Sequence, residues 1–180
     1  MPRFDESRPF IPIRIAVLTV SDTRTKKTDK SGPLLAEMIE RDGHVLAERA
    51  VATDDVDSIR AQVAAWCNDP QIDVVITTGG TGFTGRDVTP EAVRPLYDKE
   101  IEGFSVVFHM VSFETVGTST IQSRACGGLI NGTYVFSIPG SPGACEDAWT
   151  KVLKFQLDNR HRPCSFIEIM PRLKEGKPDA

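Results

Sequence analysis

The chain has 180 residues, with 21 Lys and Arg against 25 Asp and Glu and so a formal net charge of −4. One domain accounts for that length, and 40% apolar with 26% charged residues is the balance of a globular chain, which excludes a disordered one. The mild acidity argues against a nucleic-acid partner, which a basic face would meet, and the absence of a run of about 18 apolar residues argues against a membrane span.

The N-terminal MPRFDESRPF lacks the apolar run of a secretory signal, so the expected location is cytoplasmic. Residues 1–12 read as an arm, 13–170 as a single α/β domain, and 171–180 as a C-terminal tail. RIAVLTV at 14–20 is short, apolar and β-branched, which predicts a buried strand. Ser31-Gly32-Pro33 then opens a helix with Leu34, Leu35, Met38 and Ile39 on one face, and Gly43 closes it. A weaker strand is expected over 44–51. Asp54, Asp55 and Asp57 precede a helix that turns Ile59, Val63 and Trp66 inward.

DVVITT at 73–78 is the clearest strand, and the loop GGTGFTGRDV follows it. Thr89-Pro90-Glu91 starts the next helix with a cap, a proline in the first position and an acid in the first turn. Ala92, Val93, Leu96 and Tyr97 supply its buried face. Phe104, Val107, Phe108 and Val111 give a further helical stripe after Gly103. Asn131-Gly132 joins two apolar runs, 128–130 and 133–138, as a two-residue hairpin. The last long helix follows Pro139-Gly140-Ser141-Pro142 and buries Ala144, Cys145, Ala148, Trp149, Val152 and Leu153. Alternating strands and helices predict a three-layer α/β/α sandwich, mostly parallel, with one antiparallel strand from the hairpin. Ligands in such sheets bind beyond the carboxyl ends of the strands, where the unusual loops fall. Cys67, Cys126, Cys145 and Cys164 show no CxxC pairing and read as buried reduced thiols.

The glycine-rich loop has two look-alikes. Gly80-x-Gly82-x-x-Gly85 spells a dinucleotide fingerprint, but the helix signal comes four residues after the last glycine, whereas a pyrophosphate-binding helix starts inside the motif. No acid-ended strand follows at ribose distance. Gly80 and Gly85 also have phosphate-loop spacing, but Arg86-Asp87 stand where that loop needs Lys and a hydroxyl. An acid at Asp87 would repel a phosphate unless a cation such as Mg²⁺ intervened. Asp54 reads either as a helix cap or as a second functional acid, and Ser123-Arg124 either as an anion contact or as a surface pair. His44, His109 and His161 have no clustered partners, and no nucleophile–base pair is visible.

TTGGTGFTGRDVTPEA at 77–92 and SIPGSPGACEDAW at 137–149 together resemble the MoaB/MogA family of molybdenum-cofactor biosynthesis proteins, to which the gephyrin G domain is similar. The resemblance runs from Arg14 to about Phe166 and is nearest the short MoaB branch. It implies an α/β/α fold assembled as a homotrimer or homohexamer. It further implies binding of molybdopterin and its adenylylation by ATP with Mg²⁺, with the product passed to a molybdate-inserting partner. By resemblance, Asp54 and Asp87 are the catalytic, metal-holding acids. Ser21, Asp22, Gly79, Gly80, Thr81, Gly82, Thr89, Glu91, Ser123, Pro139, Gly140, Ser141 and Pro142 are the expected substrate-binding residues. Some MoaB-branch members lack the acids and bind the pterin without turning it over. Retention of both acids here favours an enzyme over a non-catalytic carrier.

Overall fold

The computed structural model describes residues 3–25 and 27–175; residues 1, 2 and 176–180, at the outer ends of the expected arm and tail, lie outside the described residues. Two-residue strands β1 (Arg3–Phe4) and, near the far end of the chain, His161–Arg162 pair antiparallel, so the beginning of the arm docks on the body. β2 (Arg14–Val20) is followed by α1 (Ser31–Arg41), β3 (Val45–Ala52), α2 (Val56–Cys67), β4 (Val74–Thr78), α3 (Thr89–Val93), β5 (Lys99–Glu100) and α4 (Glu102–Val116). The hairpin β6 (Cys126–Ile130) and β7 (Thr133–Ile138) leads into α5 (Pro142–Ala148), which continues through a π turn at Trp149–Leu153 into α6 (Lys154–Gln156).

The main sheet has six strands in the order β3-β2-β4-β7-β6-β5. β2, β3, β4 and β7 run parallel, while β6 opposes both β7 and β5. One strand is therefore antiparallel to the rest, as the hairpin implied. Asn131 and Gly132 make the turn with φ of 49° and 81°, the paired positive φ that a two-residue hairpin requires.

Alternation along the strands divides the core in two. Ile15, Val17, Val74, Ile76, Phe136 and Ile138 face α1, α4 and α5. Ala16, Leu18, Val75 and Val135 face α2 and α3, against Ile59, Val63, Trp66, Ala92 and Val93. Strands buried on both faces explain why β2 and β4 read as continuous apolar runs. The sandwich is thus the expected three-layer α/β/α.

Three local expectations change. Thr89 is the first helical residue and not the cap: Val88 holds the cap position, and the Thr89 hydroxyl donates to the Gly79 carbonyl at 2.8 Å. A tertiary acceptor has taken the group that local sequence assigned to the helix end. In α4, Phe104 and Phe108 are buried but Val107 is not. Cys67, Cys126 and Cys145 are buried free thiols, whereas Cys164 is exposed.

Candidate functional site

The loops after β2, β4 and β7, together with Asp54 beyond β3, open onto a single cleft of about 590 Å³. Ser21, Asp54, Gly79, Gly80, Thr81, Gly82, Asp87, Ser123, Pro139, Gly140 and Ser141 line it. Asp22, Thr89, Glu91 and Pro142 do not. Asp22 stands behind Asp54: its Oδ1 accepts the Asp54 N–H at 3.0 Å, and Asp54 Oδ2 accepts the Asp22 N–H at 2.9 Å. That exchange fixes the end of β3 to the end of β2. Asp55, not Asp54, caps α2, accepting from the Ser58 N–H at 2.8 Å. The capping alternative for Asp54 is thereby removed, and its carboxylate is left at the cleft.

The glycine loop is shaped by its backbone. Gly79 has φ +109°, and a Cβ there would lie 2.2 Å from the Val20 carbonyl oxygen, so no other residue fits. Gly80 at φ +62° sits against Thr89 and Asp54 in the same way. Across the loop, Thr84 donates to Asp87 Oδ2 through its N–H at 2.9 Å and its hydroxyl at 2.6 Å. Arg124 straps the loop from outside: Nε donates to the Gly82 carbonyl at 2.8 Å, Nη2 to the Asp87 carbonyl at 2.6 Å, and Nη1 pairs with Glu91. Arg124 is therefore not a free anion contact but positions the loop, while Ser123 lines the cleft.

The two acids differ electrically. Burial, with the Asp87 charge adding to it, raises the Asp54 carboxyl above the usual carboxylate range. Burial would raise Asp87 too, but hydrogen bonds from Thr84 and Gly82 and the Arg124 charge outweigh it and hold Asp87 below that range. Among the described residues no three His, Cys, Asp or Glu side chains gather as a metal cage. Mg²⁺ does not require one: it binds through one or two carboxylates together with substrate phosphate oxygens and waters. Two mutually repelling carboxylates on an open cleft fit that donor set.

Sequence reasoning missed the opposite wall. Ser112, Thr115, Val116, Ser119, Thr120 and Gln122 line it from the end of α4 and the turn after it, with Asp147 beside them. The only signal was the run Gly117-Thr118-Ser119-Thr120, which interrupts an apolar helical pattern. Asp29 was also unread. It is buried beneath the site, where it accepts from the Ser31 and Gly32 N–H groups at 3.0 and 3.2 Å and from Thr19 at 2.7 Å. Arg49 completes its set at 3.2 Å.

Fold and cleft define an α/β ligand-binding protein whose site lies across the carboxyl ends of parallel strands, with paired acids opposite a hydroxyl-rich wall. Residues 16–159 match the family model described as "Probable molybdopterin binding domain". The chain is 48% identical over 169 residues to molybdenum cofactor biosynthesis protein B of Escherichia coli strain K12, covering 94% of this chain and 98% of the relative. A crystal structure of a molybdenum cofactor biosynthesis protein B superposes with a TM-score of 0.83 at 42% identity, over 92% of this chain and 98% of that one. The tungsten cofactor synthesizing protein MoaB from Pyrococcus furiosus gives 0.75 at 33% identity, over 91% and 98%. The chain belongs to the molybdopterin-binding MoaB/MogA family of molybdenum-cofactor biosynthesis proteins.

Proposed function

We propose that this protein binds molybdopterin in the cleft and adenylylates its terminal phosphate with Mg-ATP. The observation that supports this best is the pair Asp54 and Asp87, both on the cleft and both set by the loops around them. In the reaction a phosphate oxygen of the pterin attacks the α-phosphorus of ATP. A new P–O bond forms, the bond to the β-phosphate breaks, and pyrophosphate leaves with its electron pair. Such transfers depend on positioning and charge neutralisation more than on covalent help from the protein. The attacking phosphate is already ionised at neutral pH, so the step needs no general base from the protein. Asp54 and Asp87 would hold Mg²⁺, which neutralises polyphosphate charge when bound.

The test is direct. Purified protein with molybdopterin, Mg²⁺ and ATP should yield pyrophosphate and adenylylated pterin; tight pterin binding without product would replace the enzyme by a carrier.

Assembly as a homotrimer or homohexamer belongs to the same proposal. α4 and the turn after it leave Val106, Met110, Phe113, Val116 and Ile121 exposed, Met110 at 65% and Ile121 at 69%. A contiguous apolar face of this kind marks an interface. Met110→Asp should shift the mass measured by light scattering to that of a protomer; an unchanged mass would remove this face from the assembly. The product would pass to a molybdate-inserting partner.

A further inference from the structure

Three arginines on β3 and the loops that frame the cleft are neutralised by carboxylates: Arg49 by Asp29, Arg86 by Asp22 and Arg124 by Glu91. Arg24 is the exception. It is half-buried and lines the cleft, yet its side chain meets only neutral oxygens, the Ser31 hydroxyl at 3.4 Å and the Gly140 carbonyl at 3.3 Å. Among the described residues it has no carboxylate partner. A partly desolvated guanidinium without a counter-charge is costly to keep, and its fork of donors matches phosphate geometry.

The surrounding groups extend this into a seat. Ser21 Oγ accepts the Thr23 and Arg24 N–H groups at 3.4 and 3.3 Å, and Ser141 Oγ accepts the Ala144 N–H at 3.2 Å. Each oxygen is occupied as an acceptor, which leaves each hydroxyl proton to donate. Both serines line the same cleft as Arg24. Arg24 hydrogen-bonds to neither acid; Asp87 belongs to the glycine loop, and Asp54 adjoins Gly80 of that loop on one side and the Ser21-Asp22 turn on the other, where an anion would need a cation to accompany it.

We propose that Arg24, with the Ser21 and Ser141 hydroxyls, seats a metal-free phosphate monoester: the terminal phosphate of the pterin substrate. This rests on the molybdopterin reading above. It assigns the two anionic reactants to different ends of the cleft, the monoester to Arg24 and the polyphosphate to the acids. The ends adjoin, because Gly140 packs against Gly79: a Cβ on Gly140 would lie 3.1 Å from the Gly79 Cα. A nucleophilic phosphate held at Arg24 therefore lies one backbone thickness from the glycine loop.

The experiment measures equilibrium binding of molybdopterin and of its dephosphorylated form to the wild type, Arg24→Gln and Arg24→Lys, with no turnover needed. The wild type should prefer the phosphorylated ligand by roughly 10- to 100-fold, the range of charge-assisted hydrogen bonds. Arg24→Gln should lose that preference while binding the dephosphorylated pterin as before, and Arg24→Lys should keep part of it. The KM for Mg-ATP should move less than about twofold in either variant. A preference that survives Arg24→Gln, or an equal loss of both ligands, would overturn the assignment. A wild type that binds both pterins equally would also overturn it while leaving the molybdopterin reading intact. A wild type that binds neither would overturn the molybdopterin reading itself.

Discussion

The two ends of the cleft handle charge in opposite ways. On the glycine-loop side, Asp87 is held as an anion by donors that its own loop supplies, Thr84 above all. Asp54, at the end of β3, has the Asp22 N–H as its hydrogen-bond donor and is pushed toward the neutral form by burial and by Asp87. At the other end a cation is left without an anion. One region is negative and pre-set; the other is positive and unpaired. Sites that must bring two phosphates together need such a division, since phosphates repel each other as well as any carboxylate they meet without a cation.

Three variants break or sharpen this contrast. Asp87→Asn should have the largest effect, a loss of turnover on the order of 10³-fold with molybdopterin affinity within about threefold of wild type. Unchanged turnover would take Asp87 out of the mechanism. Thr84→Val is subtler, because it deletes the hydroxyl donor and lets the Asp87 pKa rise toward its ordinary value. The acid limb of the pH–rate profile should then move to higher pH, with the loss confined to below about pH 4, the ordinary aspartate range, and little change at pH 7. The hydrogen bonds that depress Asp87 stabilise the fold above the unfolded carboxylate pKa, so the stability cost of Thr84→Val should also fade as pH falls through the folded value.

On stability, Asp54→Asn should give the smallest shift, and in the opposite direction. A raised pKa means that the folded protein holds a proton more readily than the unfolded chain, so the ionised carboxylate weakens the fold at neutral pH. The variant should melt a few degrees higher at pH 7 while losing adenylyl transfer. As pH falls through the Asp54 pKa the difference should close. A variant that melts lower at pH 7 would contradict the electrostatic account of this residue.

How far the sequence spoke depended on whether local chemistry or distant packing decided each feature. β2 and β4 were legible because both faces are buried, and nothing but apolar, β-branched residues suits them. The Asn131-Gly132 turn was legible because few residues accept positive φ in succession. β1, β5 and the His161–Arg162 strand span two residues each, too short for any periodicity to appear. Thr89 looked like a cap because its neighbours favour one, and only the folded loop supplies the Gly79 carbonyl that claims its hydroxyl. The glycine loop and the 139–142 turn stood out by composition. The wall from Ser112 to Gln122 did not, because it faces the cleft only once α4 has packed beside α5. Arg24 was hidden for a related reason: what marks it is the absence of a partner, and partners are assigned only in three dimensions.

The contact between Gly79 and Gly140 bears on how this cleft can vary. Neither position has space for a methyl group without backbone displacement, and Gly79 also carries a φ that side chains resist. A saturation scan scored by abundance should therefore tolerate fewer residues at Gly79 than at either acid. The ridge that the two glycines form resists change, while the Ser and Thr side chains that line the rest of the cleft stay free to diversify around whichever pterin derivative is delivered.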